Sequence, residues 1–463
     1  MNKSNSNIGV LAIAMMSVAG IFTLRTLPLM AMYGLSSIFY YVIAALLFFI
    51  PSALICAELA TGWPKTGGLY VWVREAFGRR FGFLAIWLEW TNTVISFPAI
   101  LAFITATIAY AINPALANNK IYMLTLMLIL FWGTTLINFL GIKFSSLISN
   151  IGLILGTGLP CLLIIVLAID WLITGHHSQI SFTAKNILPN FSVTRAAFLV
   201  GLILGYSGMQ ISAFHAQEVK DPQRNFPRAI FIAVLIILFL SITGSLAIAM
   251  VVPQQKISLL TGLMQATVTF FAMYHLSWMV PIIAILTALG TFSMLNMWII
   301  GPCKGLLATA NYGDLPKPLR YINKHNSPTT LLLLQAIVGT IFSLIYLLMP
   351  TINSSYWLLV ALTSILTLIM CVLIFASVIR LRYTQPDMPR GYKIPGGNIG
   401  VWIVGGIGIL TCAFAFFLGF VPPEQLHHVS TKFYESFLIG GVIILVAIPF
   451  LRRFSLVSIT EEK

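Results

Sequence analysis

Long apolar segments dominate the chain, and short stretches with polar residues, glycine or proline separate them. Most of these segments reach about 20 residues, the length at which a helix crosses the hydrocarbon core of a bilayer. A helix satisfies every backbone amide within its own segment, and the alternating pattern of a membrane barrel strand does not occur in this sequence. The pattern predicts twelve transmembrane helices, near Val10–Tyr33, Ser36–Leu59, Phe81–Ile112, Ile121–Phe139, Phe144–Leu172, Ala196–Ala216, Ala229–Val252, Leu276–Thr309, Thr329–Leu348, Tyr356–Val378, Ile399–Phe420 and Phe437–Phe450.

The composition agrees with a polytopic membrane protein. Hydrophobic residues make up 59% of the chain and charged residues 8%, and the mean hydropathy is +0.96. Soluble domains carry roughly a quarter charged residues, because their surfaces face water. The surroundings of this chain are therefore expected to be a lipid bilayer, and a soluble enzyme is excluded.

The basic residues indicate the orientation of the helices. The net charge of +14 comes from short loops and not from one basic patch, so nucleic-acid binding is not expected. Alternate assignment of the loops places twenty of the 26 lysines and arginines on one side and five on the other. Because basic loops stay in the cytoplasm, we expect an inner-membrane protein with both termini cytoplasmic.

Neither a cofactor nor a metal is expected. The cysteines lie inside apolar segments without a CxxC pair, and the histidines show no metal-ligand spacing with carboxylates. A phosphate-binding loop, a dinucleotide fingerprint and a nucleophile–base arrangement are also absent from the sequence. The sequence does not indicate an oligomeric state.

Two connections between apolar segments differ from simple polar loops. Thr61–Arg80 mixes Pro64, Gly67 and Gly68 with apolar residues, which is typical of a re-entrant or surface-lying segment. Lys304–Pro328 is predicted to be a cytoplasmic connection with a short helix of its own.

The first and sixth apolar segments contain small residues at which a helix can be interrupted. Ser17–Phe22 has alanine and glycine in mid-segment, and Gly201, Gly205 and Gly208 surround Tyr206. Interrupted helices in corresponding halves of secondary transporters expose backbone groups as substrate ligands near the midplane. Glycine also permits close helix packing, which is an equally good interpretation of either segment alone.

Four stretches resemble motifs of one transporter superfamily. Ala19–Phe22 resembles the Gly-Ser-Gly-Ile-Phe break of its first helix, and Ala57–Thr61 with Gly67–Tyr70 resembles the end of its second. Gly208–Pro227 resembles its sixth helix and exit loop, and Gly301–Gly305 resembles the Gly-Pro-Ser-Arg-Gly part of its eighth. The chain is thus identified as similar to the amino acid–polyamine–organocation superfamily over almost its whole length. Within that superfamily it most resembles the glutamate/γ-aminobutyrate antiporters.

The resemblance implies an all-α fold with inverted repeats of helices 1–5 and 6–10, discontinuous helices 1 and 6, and two additional C-terminal helices. The expected divisions are an N-terminus at 1–7, a ten-helix core at 8–383 (repeats at about 8–175 and 195–383), helices 11 and 12 at 384–454, and a tail at 455–463. The resemblance also implies alternating access, with exchange of one amino acid for another or for its decarboxylation product.

A zwitterionic substrate needs partners for two opposite charges. Free amides at the start of a half-helix attract a carboxylate, so we expect the carboxylate at Val18–Ile21 and the amino group at carbonyls of Tyr206–Met209. The resemblance implies an aromatic gate in helix six, for which Tyr206 is the nearest match. The candidate substrate-binding residues are Ser17, Val18, Ala19, Gly20, Ile21, Arg25, Tyr206, Ser207, Gly208, Met209 and Gln210.

Ionisable residues inside predicted helices are further candidates, because a charge at that depth usually faces a cavity or a partner. Arg25 either attracts an acidic group of the substrate or pairs with Glu89, and both hypotheses stay open. The neutral Gln210 argues mildly against a strongly cationic substrate. A second set either couples protons, forms a cytoplasmic gate or builds a structural network, and comprises Glu58, His215, Glu218 and Lys304.

These observations favour a secondary active transporter, namely an antiporter for acidic or neutral amino acids, with protons as a candidate second partner. A cationic amino acid or polyamine permease is the alternative. A membrane sensor is a weaker alternative because the loops are short. The short tail is also expected not to plug the cytoplasmic entrance, unlike the long C-terminal plug of some relatives.

Overall fold

The computed structural model describes residues 9–64, 67–139, 154–189, 196–209, 221–325, 327–423 and 429–451. Every regular element in these ranges is helical, and short 3-10 or π turns join several of the helices. The α-helices are α1 (Val10–Ile21), α2 (Leu27–Ala31), α3 (Ser37–Ala44), α4 (Ile50–Gly62), α5 (Leu69–Phe77), α6 (Arg79–Ile112), α7 (Lys120–Phe139), α8 (Leu159–Ile173), α9 (Phe198–Gly205), α10 (Pro222–Val251), α11 (Gly262–Met273), α12 (Val280–Ala308), α13 (Thr329–Ser343), α14 (Ile345–Leu348), α15 (Ile352–Thr384), α16 (Gly397–Gly419) and α17 (Thr431–Leu451).

The described ranges contain ten helical segments long and apolar enough to cross a membrane, and the bent pair of α1 and α2 supplies an eleventh. The protein is therefore a multi-pass, all-α membrane protein. The predicted sixth segment, Ala196–Ala216, extends beyond the described residues, so the count of twelve stays a prediction. The sequence analysis missed α11, an apolar helix shorter than a span that packs between α10 and α12.

Helix α15 begins earlier than the predicted Tyr356–Val378. The Thr351 hydroxyl accepts a hydrogen bond from the Ser354 amide at 3.1 Å, which caps the first turn. A capped turn can start in polar sequence, ahead of the apolar residues that mark the membrane segment. Hydropathy alone therefore placed this boundary too late.

Helices α6 and α15 form the centre of the bundle. In their most apolar windows 72% and 83% of the residues are buried, against 17% in α17. Helix α6 packs on both α12 and α15, whereas α16 packs mainly on α15. The last two helices thus lie at the periphery, where their apolar side chains face lipid.

The two unusual connections pack on each other. Positive φ angles at Gly67 and Gly68 turn the chain into α5, most of whose residues are buried. The Tyr70 hydroxyl donates to one oxygen of Asp314 at 2.6 Å, and Arg79 Nε donates to the other. Burial and the hydrogen bond to Asp314 raise the pKa of Tyr70, so its hydroxyl keeps the proton that it donates. A residue of the α12–α13 connection therefore anchors α5 to the bundle.

The replacement Asp314→Asn tests this anchor. An amide offers one acceptor where the carboxylate offers two, so one of the donors from Tyr70 and Arg79 loses its partner. We expect the free energy of unfolding to fall by about 1–3 kcal/mol, measured as a lower melting temperature in detergent. The control is Asp387→Asn, at an exposed carboxylate of the α15–α16 connection. Equal melting temperatures for the two variants would contradict the assignment.

Candidate functional site

The first membrane segment is broken after α1. Phe22 has a ψ of 125° and Thr23 has φ and ψ of −140° and 135°, so both residues are extended. A 3-10 turn at Leu24–Thr26 then leads into α2. The helical parts on the two sides of the break are bent by 47°.

The break lies slightly later than the sequence predicted. Ser17, Val18, Ala19, Gly20 and Ile21 are all within α1, and even the Phe22 amide donates to the Val18 carbonyl at 2.8 Å. The Val18–Ile21 amides are therefore held in helical bonding, and the first amides beyond the break belong to residues 23 and 24.

A side chain accounts for the later position of the break. The Thr23 hydroxyl accepts from the Arg25 amide at 3.4 Å, and the Thr26 hydroxyl donates to the Thr23 carbonyl at 2.9 Å. Threonine hydroxyls that bond nearby backbone groups compete with continuous helix and favour the start of a new turn. The new turn consequently begins after Thr23.

The sixth segment also loses its helical form. Helix α9 ends at Gly205, and Tyr206, Ser207 and Gly208 follow without regular structure. The φ of Gly208 is +119°, in the region that favours glycine, and the Ser207 hydroxyl donates to the Leu204 carbonyl at 2.7 Å. Met209 itself is helical, and the predicted Gln210 lies outside the described residues.

The two breaks meet inside the bundle. A Cβ atom built on Gly208 would lie 3.7 Å from the Gly20 carbonyl oxygen and 3.7 Å from the side chain of Ile21. It would also lie 3.9 Å from the ring of Trp298 in α12. The structure thus brings together three predicted residues and adds Trp298, which the sequence analysis missed. The available signal was the polar and aromatic pair Asn296 and Trp298 inside an apolar segment.

Tyr206 packs beside a small cavity along the breaks. Its ring stacks on Phe49 at 5.0 Å between centroids, and its hydroxyl donates to the Tyr41 carbonyl at 3.4 Å. The cavity has a free volume of about 10 Å³ and is lined in part by Thr23 and Ser241. That volume holds about one water molecule, so the cavity is too small for an amino acid in this conformation.

Arg25 lies in the 3-10 turn that follows the break, and only 9% of its surface is exposed. Within the described ranges it forms no salt bridge with Glu89, and its Nε has no hydrogen-bond partner. The pairing hypothesis is therefore not realised in this conformation.

Glu58 lies in a dense ionic cluster at the end of the bundle where the basic loops gather, here called the basic end. Arg382 donates to both carboxylate oxygens, at 2.6 and 2.7 Å, and Arg390 lies 3.5 Å away. The Ile394 amide donates at 2.8 Å. These partners come from the end of α15 and from the connection that follows it.

The other candidates of the basic end are less defined. His215 and Glu218 lie outside the described residues. Lys304 lies in α12 and is half-buried, and no salt bridge to it occurs in the part of the chain that the structure describes. Their roles stay predictions.

Comparison with known proteins identifies relatives over almost the whole chain. The family model for amino acid permeases matches residues 8–447. An uncharacterized transporter of Legionella pneumophila is 45% identical over 452 residues, which cover 97% of each chain. The glutamate/γ-aminobutyrate antiporter of Lactococcus lactis is 32% identical over 438 residues, 93% of this chain and 87% of the relative. A probable agmatine/putrescine antiporter of the same species is 25% identical over 388 residues, 82% of this chain and 80% of the relative.

The replacement Gly208→Ala tests the second break. Space is sufficient for the added methyl group, but the positive φ is strained for any residue with a Cβ, at roughly 1–3 kcal/mol. We expect uptake of substrate to fall severely while the amount of inserted protein stays close to wild type.

The matched control is Gly133→Ala in α7, where the φ is ordinary and the methyl group meets open space. Full uptake by the Gly208 variant would show that the break does not depend on this glycine.

The replacement Glu58→Gln separates a structural role from proton coupling. Removal of the charge leaves Arg382 and Arg390 without their buried counter-ion, at a cost of about 3–5 kcal/mol. We expect a lower melting temperature, with an unchanged pH profile of uptake in the protein that remains folded. A flattened pH profile at an unchanged melting temperature would instead assign proton coupling to Glu58.

Proposed function

The chain belongs to the amino acid permease family, and we propose that it is an antiporter that exchanges an acidic amino acid for a related neutral one. The observation that supports this proposal is the contact between the second break at Gly208 and the end of α1 at Gly20 and Ile21, directly before the first break. Backbone groups released from helical bonding are suitable ligands for a small zwitterion in a site that excludes water. The 32% identical antiporter from Lactococcus lactis supplies the substrate pair, glutamate and γ-aminobutyrate.

The roles of the backbone groups follow from the polarity of helix ends. The amides of Thr23 and Leu24 are assigned to the substrate carboxylate, because amides at the start of a helical turn lack intrahelical acceptors. The carbonyl groups at the end of α9 are assigned to the amino group, because the C-terminus of a helix carries partial negative charge. Exchange then requires that the packed Tyr206 moves away from the cavity to admit the substrate.

The orientation in the membrane is part of the proposal. The basic end is assigned to the cytoplasm of a cell with an inner membrane, because lysine and arginine accumulate in cytoplasmic loops. Twelve helices, an inverted five-plus-five repeat and two cytoplasmic termini complete this topology. The low burial of α17 supports its place among the two helices outside the repeats.

A cationic amino acid or polyamine permease is the second candidate. The buried carboxylate of Glu89 favours it, since only 8% of that residue is exposed. The buried positive charge of Arg25 opposes it, because a second cation next to Arg25 is repelled in a medium of low dielectric constant. We therefore place the cationic substrate second.

Counterflow in proteoliposomes tests the proposed function. Vesicles loaded with unlabelled γ-aminobutyrate are expected to accumulate labelled glutamate, and empty vesicles are expected to accumulate little. Accumulation of agmatine or putrescine instead of glutamate would establish the second candidate. Binding of glutamate without any counterflow would indicate a sensor and contradict the antiporter.

A further inference from the structure

Among the described residues, no carboxylate compensates the charge of Arg25. A guanidinium group stays protonated in proteins, and a charge within a membrane is costly unless it is paired or hydrated. Arg25 is nine-tenths buried, its Nε lacks a hydrogen-bond partner, and no carboxylate of the described residues forms a salt bridge with it. A buried and unpaired cation of this kind is a site prepared for an anion.

Two buried tyrosines lie within electrostatic range of the guanidinium group. Tyr346 of α14 is fully buried, and its hydroxyl has no hydrogen-bond partner in the described part of the molecule. Tyr356 of α15 is 5% exposed, and the charge of Arg25 reaches both hydroxyls. Hydroxyl and guanidinium groups are all hydrogen-bond donors, and together they match the acceptor oxygens of a carboxylate.

We infer that Arg25, Tyr346 and Tyr356 form an anion subsite that binds the side-chain carboxylate of the substrate. This inference rests on the proposed function. Arg25 lies only two residues beyond Thr23, so the subsite adjoins the amides assigned to the α-carboxylate. A dicarboxylic amino acid therefore has one partner for each carboxylate.

The chemistry of the two exchanged solutes sharpens this assignment. γ-Aminobutyrate is glutamate without its α-carboxylate, so the two solutes share the amino group and the distal carboxylate. A subsite for the distal carboxylate recognises both solutes, whereas the amides of the first break serve only glutamate. Arg25 is thus required for both directions of exchange, and glutamine, which lacks the distal charge, depends on it less.

The test compares glutamate, γ-aminobutyrate and glutamine as counterflow substrates of reconstituted full-length protein. We expect Arg25→Gln to raise the KM for glutamate and γ-aminobutyrate about tenfold or more, with the KM for glutamine changed less than about twofold. Tyr346→Phe removes one donor and no charge, and is expected to shift the same two solutes by a smaller factor. Lys317→Gln removes an exposed charge of the α12–α13 connection and serves as the control.

The outcomes separate the inference from the proposed function. An equal loss of all three solutes in Arg25→Gln, or no loss, would overturn the subsite while wild-type exchange would still support the antiporter. Wild-type protein that exchanges none of the three would overturn both. If Arg25→Gln does not insert into the membrane, the same comparison is made with Arg25→Lys and Tyr346→Phe. Loss of glutamate and γ-aminobutyrate exchange with glutamine exchange retained supports the subsite, and equal loss of all three contradicts it.

Discussion

A peptide group that leaves helical bonding within lipid must find another partner, and this requirement organises the whole bundle. The chain releases such groups at Phe22–Thr23 and at Tyr206–Gly208, and both places lie inside the packed helices. Irregular backbone is tolerated at membrane depth only where protein or an internal cavity surrounds it. The long helices α6, α12 and α15 provide that enclosure, and the peripheral α16 and α17 keep lipid away from α15.

Charge inside the bundle follows two different rules. Glu58 and Asp314 are fully buried, but each has a complete set of donors from distant parts of the chain, so they stabilise one arrangement of helices. Arg25 is almost as buried but lacks such partners in the described ranges. Buried charges that have hydrogen-bond partners hold helices together. A buried charge without such a partner, next to a helix break, is suited to bind a substrate of opposite charge.

The sequence predicted those features that depend on composition or local conformation. Hydropathy located the ten or eleven apolar spans of the described residues. Glycine at position 208 marked a break, because other residues adopt its φ of +119° only with strain. Gly20 indicated a nearby break, which lies at Phe22–Thr23 because the hydroxyl of Thr23 caps the next turn, a difference that glycine spacing cannot reveal. The partners of Glu58 lie more than 300 residues away, so only the fold identifies them.

The second membrane segment has a division of its own. Its α3 and α4 are joined by a π turn at Ala45–Phe49, and Phe49 carries the stacked ring of Tyr206. Below that turn, Glu58 fastens α4 to Arg382, while Tyr41 above it binds Ser245 of α10 at 2.9 Å. Because α3 and α4 are each bonded to another helix, a displacement of Tyr206 is expected to change the angle between them. The wider π turn that joins them is the place where this segment bends most easily. Each part of this segment is thus held by its own neighbour, and the turn between them is left to adjust their relative angle.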